Sequence, residues 1–353
     1  MILDAVSFHA WFDKSQKHIF SIDYSSLRLR CWQQISAASK RNAIPMKPFS
    51  VPLLAGGMLS AFSVQAADVT ALAPTVVQNV AQQVKNDSRL PDWLRRTDIS
   101  VESMDRSNPT WSVETVQPLY QTPKTLRDTV FFQGRWGRRH SDNTFNLGLG
   151  YRNLLEDKTW LLGVNTFYDT TTKYDHKRWG VGAEAIGQYL TFRTNFYHGI
   201  SGEKTTSTLN GISTTEKALS GRDFEIDAPI PYLSWIRVAA NSYRWKSATA
   251  GIEDLKGAKL AFKGNISKNV SLELGRQDDN YTRPSSFIRL SYNLLGNPGN
   301  GVPGTMLEGM RKPVSFEARD LTLHTLDKVR RQNDIVVEKK TGGGSGVTIG
   351  RRN

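Results

Sequence analysis

Between Asn143 and Glu184 the chain alternates apolar with small, polar or charged residues in three successive runs. Few folds accept this pattern. In the first run Phe145, Leu147, Leu149 and Tyr151 share one parity, and Asn146, Gly148, Gly150 and Arg152 share the other. In the second, Leu162, Val164, Thr166 and Tyr168 oppose Gly163, Asn165, Phe167 and Asp169. In the third, Trp179, Val181, Ala183 and Ala185 oppose Arg178, Gly180, Gly182 and Glu184. Side chains alternate faces along a strand, so each run has one greasy face and one polar or nearly bare face. A water-soluble sandwich would bury the greasy faces against a partner sheet. A membrane barrel turns them to lipid and lines a hydrated lumen with the others, using strands of about 9–11 residues. Arg and Glu set among glycines, with aromatics towards the strand ends, favour the barrel.

Extending this parity predicts twelve strands: Ile99–Met104, Trp111–Pro118, Thr129–Arg139, Thr144–Leu154, Trp160–Asp169, Arg178–Gly187, Leu190–His198, Arg222–Ala228, Trp235–Lys246, Ala258–Ile266, Val270–Gln277 and Ser286–Leu294. An even number closes a barrel with both ends on the periplasmic side. Connectors such as Gly199–Gly221 and Ser247–Gly257 are long, whereas Gln188–Tyr189 and Ser267–Asn269 are tight. Long loops outside and short turns inside is the outer-membrane arrangement, although Leu119–Asp128 departs from it. In the ninth strand Ile236, Val238 and Ala240 lie on one parity but Tyr243 and Trp245 on the other, which predicts a bulge. The register turns Arg152, Glu184, Arg193, Asp223, Glu225, Asp227, Lys263, Glu273 and Arg289 to the lumen. An Arg or Lys facing lipid at mid-depth would cost about 2–4 kcal/mol. By the same reasoning Leu149→Arg should impair assembly far more than Gly150→Ser.

The rest of the composition agrees. Only 39% of the 353 residues are hydrophobic, and no run of about 20 apolar residues offers a membrane-spanning helix. The net charge of +13 comes from basic residues scattered without a nucleic-acid motif, so no nucleic-acid partner is expected. The single cysteine, Cys31, precedes the segment Met46–Ala66, which has a Lys, an apolar centre and a small-residue end like a secretory signal peptide. The expected organisation is an upstream extension or misassigned start (1–45), a signal peptide (46–66), a periplasmic lead-in (67–96), a transmembrane barrel (97–296), a linker (297–340) and a disordered tail (341–353). His140, His176 and His198 lack ligand spacing and read as surface histidines. The Gly180–Ala185 stretch lies within a strand and is not a dinucleotide loop. No catalytic, cofactor or metal site is expected.

The motifs NTFNLGLGYR, WLLGVNTFYD and RWGVGAEA occur in that order, with WSVETVQPLY upstream and LDKVRRQNDIVVEKK downstream. Together they resemble the β-domain of the intimin and invasin family, the inverse autotransporters of Gram-negative outer membranes, over roughly Leu90 to Lys340. The resemblance implies a translocator whose chain returns through the lumen and exports an adhesive passenger. It also implies a host-cell or surface receptor and virulence. The outer-membrane barrel fold further implies contact with outer-membrane lipid, the barrel-assembly machinery and periplasmic chaperones. Only about 57 residues follow Gly296, so a passenger-less or truncated translocator is expected. A passive porin-like channel and a barrel-borne enzyme are the alternative readings.

The fold expected is therefore all-β: a transmembrane 12-stranded antiparallel outer-membrane β-barrel with a C-terminal linker in the lumen. In that linker Arg311, Lys312, Lys328, Arg330 and Arg331 are expected to pair with Glu184, Asp223, Glu225 and Asp227. Leu321, Leu323, Leu326 and Val329 fit one face of a short helix, with Ile335 to Val337 extended after it.

Overall fold

The computed structural model describes residues 96–139, 142–209, 212–294, 305–311, 318–342 and 347–351. The extension, the signal peptide, nearly all of the lead-in, the glycine-rich break after the barrel, His140 and Lys312 lie outside the described residues. The strands are β1 (Thr97–Met104), β2 (Thr110–Gln121), β3 (Asp128–Arg139), β4 (Asp142–Leu154), β5 (Trp160–Thr171), β6 (Lys177–Gly187), β7 (Thr191–Gly199), β8 (Lys204–Leu209) and β9 (Ile212–Ala218). They continue with β10 (Gly221–Ile230), β11 (Leu233–Trp245), β12 (Leu255–Asn265), β13 (Val270–Asp279), β14 (Ser285–Asn293), β15 (Val336–Thr341) and β16 (Val347–Arg351). A short helix, α1, covers Met306–Arg311, and a 3₁₀ turn covers Leu321–His324.

β1 to β7 and β10 to β14 form a closed antiparallel barrel, sealed by β1 against β14. Each of the twelve expected strands has its counterpart in this barrel, and none of the barrel strands is extra. The alternation works as an inverted core. Leu147, Leu149, Val164, Val181 and Phe224 are exposed, whereas Asn146, Arg152, Asp169, Arg178 and Glu184 are buried. Outward apolar residues on adjacent strands give one continuous belt, with Trp111 against Trp136 and Tyr168 against Trp179 at 5.4 and 5.6 Å between ring centroids.

The bare inner positions are not empty. Phe131 lies opposite Gly150 and Phe167 opposite Gly148 in register, and each ring covers the spot where a Cβ would stand. Gly150→Ser is therefore not the mild change that parity alone suggests. β11 also corrects the sequence reading. Its pairing with β12 runs unbroken from Ile236 to Trp245, without a bulge, so Tyr243 and Trp245 simply continue the inner parity of Ala239 and Asn241. Trp245 is buried against Tyr197, Leu219, Leu255, Val336 and Ile349 where β11 ends.

Beyond that rim the long β7–β10 connector forms the hairpin β8–β9, and β15 and β16 join it in a sheet of order β16-β15-β9-β8. Val337 lies opposite Ala218 and Lys340 opposite Thr215. The tail expected to be disordered thus contributes a strand, Val347–Arg351, paired with β15. His176, expected on the surface, is fully buried, its Nε2 3.3 Å from the Glu216 carboxylate on β9. The hairpin touches the end of the β5–β6 connector, where Tyr174 Oη also donates to the Thr206 carbonyl at 3.2 Å.

Candidate functional site

Inside the barrel, register sets charge against charge. Glu184 lies opposite Arg193, and Arg193 opposite Glu225. Glu273 lies opposite Arg289, and Arg289 opposite Glu102. Side chains close these and neighbouring pairs: Arg193 donates to both Glu225 and Asp227, Arg178 Nε to Asp169 opposite it at 2.8 Å, and Arg152 Nε reaches past Gly163 to Glu184 at 2.7 Å. A buried ion costs several kcal/mol unless it is paired and hydrogen-bonded, and cross-strand neighbours about 5 Å apart are the pairs a sheet can supply.

The segment from Arg319 to Glu338 lies against this buried face, and its contacts advance steadily from one rim to the other. Arg319 donates to the Gly187 carbonyl and to Thr191 Oγ1, beside the tight β6–β7 turn. Leu321 packs on Leu154, Leu161 and Ile186 at the same rim. Asp320 caps the 3₁₀ turn by accepting from the Thr322 amide. Arg152 then donates to the carbonyls of Thr325 and Asp327, at 3.0 and 2.6 Å. Val329 inserts among Val116, Phe131 and Phe167, and its amide donates to Gln133 Oε1 at 2.9 Å.

Arg331 makes the densest contact. Its two terminal nitrogens reach both oxygens of Asp169 at 2.7 Å, and its guanidinium lies 4.3 Å from the Phe167 ring centre. Asp169 also accepts from Asn146 and Arg178. Further along, the Gln332 amide donates to Tyr197 Oη at 2.8 Å, and Arg178 donates to the Gln332 carbonyl at 2.6 Å. Asp334 meets Arg139 at 2.9 Å near the opposite rim. An extended segment without neighbouring strands has no ladder for its amides and carbonyls, so wall side chains take that role.

Above the rim Glu338 is buried and accepts from Ser247 Oγ, the Ala248 amide and Thr249 Oγ1. Burial raises its carboxyl, but the Thr249 and Ser247 hydroxyls and the neighbouring amides outweigh that, leaving it below the ordinary carboxylate range.

Of the nine residues assigned to the inner face, Arg152, Glu184, Arg193, Asp223, Glu225, Asp227 and Glu273 are buried; Lys263 and Arg289 are half-buried on the same face. Their partners differ from those expected. Arg330 meets Glu225 at 2.9 Å, as the charge pattern suggests, but also Glu273 at 3.2 Å. Lys328 meets Asp98 at 2.7 Å and Glu114 at 3.6 Å. Glu184 pairs within the wall with Arg152, Asp223 accepts from Tyr197 and Asn195, and Asp227 pairs with Arg193 and Arg237. Arg311 ends α1. The expected short helix is only the 3₁₀ turn: Leu321 is buried, Leu323 is exposed, and Val329 follows in extended chain. Sequence reasoning missed Asp169, Asn146 and Gln133 as partners of this segment, although Asn146 and Asp169 carried the right parity.

On the opposite side, along β12, β13, β14, β1 and β2, a cavity of about 1170 Å³ opens beside the segment, bridged by Lys328 to Asp98 and Glu114 and by Arg330 to Glu273. Its lining runs from Arg96 and Asn293 at one rim to Arg106 and Thr282 at the other.

Comparison with known proteins identifies the family of the barrel. Residues 58–333 match the family described as inverse autotransporter, beta-domain. Invasin of Yersinia enterocolitica is 30% identical over 168 residues, covering 44% of this chain and 19% of invasin. The inverse autotransporter adhesin YeeJ of Escherichia coli (strain K12) is 28% identical over 266 residues, 70% of this chain and 11% of YeeJ. An attaching and effacing protein homolog from the same strain is 30% identical over 162 residues, 44% of this chain and 52% of that protein. The chain thus spans about half the length of that homolog and far less of the other two. A solved chain from work on the in-meso crystallization of membrane proteins shares the fold, with a TM-score of 0.54 and 18% identity over 69% of this chain and 99% of that one. The chain belongs to the inverse autotransporters, and its closed barrel is their outer-membrane β-domain.

Proposed function

We propose that this barrel is a translocator: the chain after β14 threads the lumen from the periplasmic side and emerges at the surface in the four-stranded sheet. The observation carrying this reading is the ordered advance of contacts, from Arg319 at the short-turn rim through Arg331 at Asp169 to Glu338 at the long-loop rim. Whatever follows β15 in sequence is then displayed outside. Adhesion to a host cell or surface is the activity that display would serve, as the names of invasin and YeeJ suggest for those proteins. Insertion needs outer-membrane lipid, the barrel-assembly machinery and periplasmic chaperones. The reading is non-enzymatic: the buried inner charges are taken up by one another and by the segment.

Labelling of intact cells with a membrane-impermeant maleimide tests the path, with Cys31 replaced by Ser. Thr348→Cys, exposed on β16, should label on intact cells. Lys158→Cys, in the β4–β5 turn, should label only after the outer membrane is permeabilised. Labelling of Lys158→Cys but not Thr348→Cys on intact cells would reverse the topology and end the proposal.

A further inference from the structure

On the outward face one row of side chains breaks the charge rule that the inner face obeys. Arg222 at the start of β10 lies directly opposite Arg244 on β11, and Arg244 lies directly opposite Lys256 on β12. Lys246 follows two residues beyond Arg244 on the same parity, its amide continuing the ladder to the Ser220 carbonyl. All four side chains are exposed. Like charges directly opposite one another destabilise a sheet. Two such pairs in succession therefore need a counter-charge. Asp254 holds Arg244 at 2.7 Å and Glu253 holds Lys256 at 3.1 Å. Among the described residues Arg222 and Lys246 have no carboxylate partner, so the patch keeps a net positive charge.

Its level on the barrel says where the counter-charge comes from. Phe196 is the register neighbour of Arg222 on β7, and Phe224 follows two residues along β10; both are exposed, as is Leu260 on β12. The row thus sits where the lipid-facing belt ends, at the rim carrying the β7–β10 and β11–β12 loops. A cation costs only about 0–1 kcal/mol at that interface, against about 2–4 at the midplane. In an outer membrane the anions at this level are the phosphates of the glycolipid that forms the outer leaflet. Arg binds phosphate through a planar fork of donors and Lys as a point charge.

We propose that Arg222, Arg244, Lys246 and Lys256 form a docking site on the outer wall for the phosphates of this outer-leaflet glycolipid. Its acyl chains lie along Phe196, Phe224 and Leu260. The site is independent of the linker's path but rests on the proposed orientation, with the long-loop rim at the cell surface.

Native mass spectrometry of the detergent-solubilised full chain, titrated with diphosphorylated lipid A, tests it. The double variant R222Q/K246Q should bind about tenfold more weakly at low ionic strength. The variant K124Q/K268Q, which removes two exposed lysines from the periplasmic turns, should bind like wild type. R222K/K246R keeps both charges and should restore binding, which a folding defect would not allow. Dephosphorylated lipid A should bind wild type no better than the diphosphorylated form binds R222Q/K246Q. Equal binding of diphosphorylated lipid A by wild type and R222Q/K246Q would overturn the site. So would its displacement by equimolar inorganic phosphate, which would make this a free-phosphate site.

Discussion

Two walls of the same barrel treat the same segment differently. Along β4 to β7 the linker is packed against the sheet, and Asn146, Arg152, Asp169 and Arg178 are closed off from solvent. Along β12 to β14, β1 and β2 a cavity opens beside the linker, which Lys328 and Arg330 bridge to the wall, and the Arg289 side chain stays 35% exposed. Both walls alternate correctly and both pair their charges. The packed wall differs in being recessed. At Gly180 a Cβ would stand 2.9 Å from the Arg331 guanidinium, so absent side chains make the trough in which the linker lies. The open wall carries Lys259, Lys263, Glu273 and Arg289, which line the cavity, and the linker meets it there through Arg330 on Glu273 at 3.2 Å. Alternation makes a barrel; the missing side chain at Gly180 is what lets Arg331 lie against the packed wall.

The largest test removes the segment. A chain ending at Gly296 should conduct severalfold more in planar bilayers than the full chain, because only the linker occupies the packed side. Equal conductance from both folded chains would abolish the distinction between the walls.

Charge removal should separate them next. Asp169→Ala strands Arg178 and Arg331 without a carboxylate, and breaking a buried pair costs about 3–5 kcal/mol. Glu102→Ala on the open wall leaves Arg289 half-solvated and still paired with Glu273, so about 1 kcal/mol or less is expected. Thermal unfolding monitored by heat-modifiable gel migration measures both. Similar losses would mean that the two walls are equally dry.

A subtler change probes the recess. Gly150→Ser forces the Phe131 ring to move, and overpacking of this kind costs about 1–3 kcal/mol. Ser291→Thr on the open wall should be nearly neutral in the same assay. Leu149→Arg, which faces lipid, remains costly, but its contrast with Gly150→Ser is smaller than parity implies.

The smallest effect concerns the outer latch. The Glu338 carboxyl lies below its ordinary range, so its stabilisation is present above the unfolded value and is lost as pH falls through the folded one. Acidification below about pH 4 should expose β15 and β16 to an acid-active protease while the barrel stays intact. Glu338→Gln should remove that pH dependence.

The barrel was legible in the sequence because its signal is local. Residues two apart share a face, and the cost of a charge in lipid assigns that face without knowledge of the partner strand, as Leu149 and Arg152 illustrate. Even β11 needed no bulge once Tyr243 and Trp245 were allowed on the inner side of the rim. The linker's course was legible only as charge balance. That Arg331 meets Asp169 and not Glu184 depends on where an extended chain stands relative to a wall recessed by Gly180, a distance no spacing encodes. The outer sheet was not legible. Val347–Arg351 reads as a glycine-flanked tail and the hairpin β8–β9 as a polar loop, because the two locally paired hairpins, β15–β16 and β8–β9, become one sheet only through the β9–β15 ladder, which joins residues more than a hundred positions apart. His176 is buried for the same reason: the strand that covers it, β9, comes from another loop. Sequence determined which residues form the barrel and which side each faces; tertiary structure alone decided what the lumen and the loops hold.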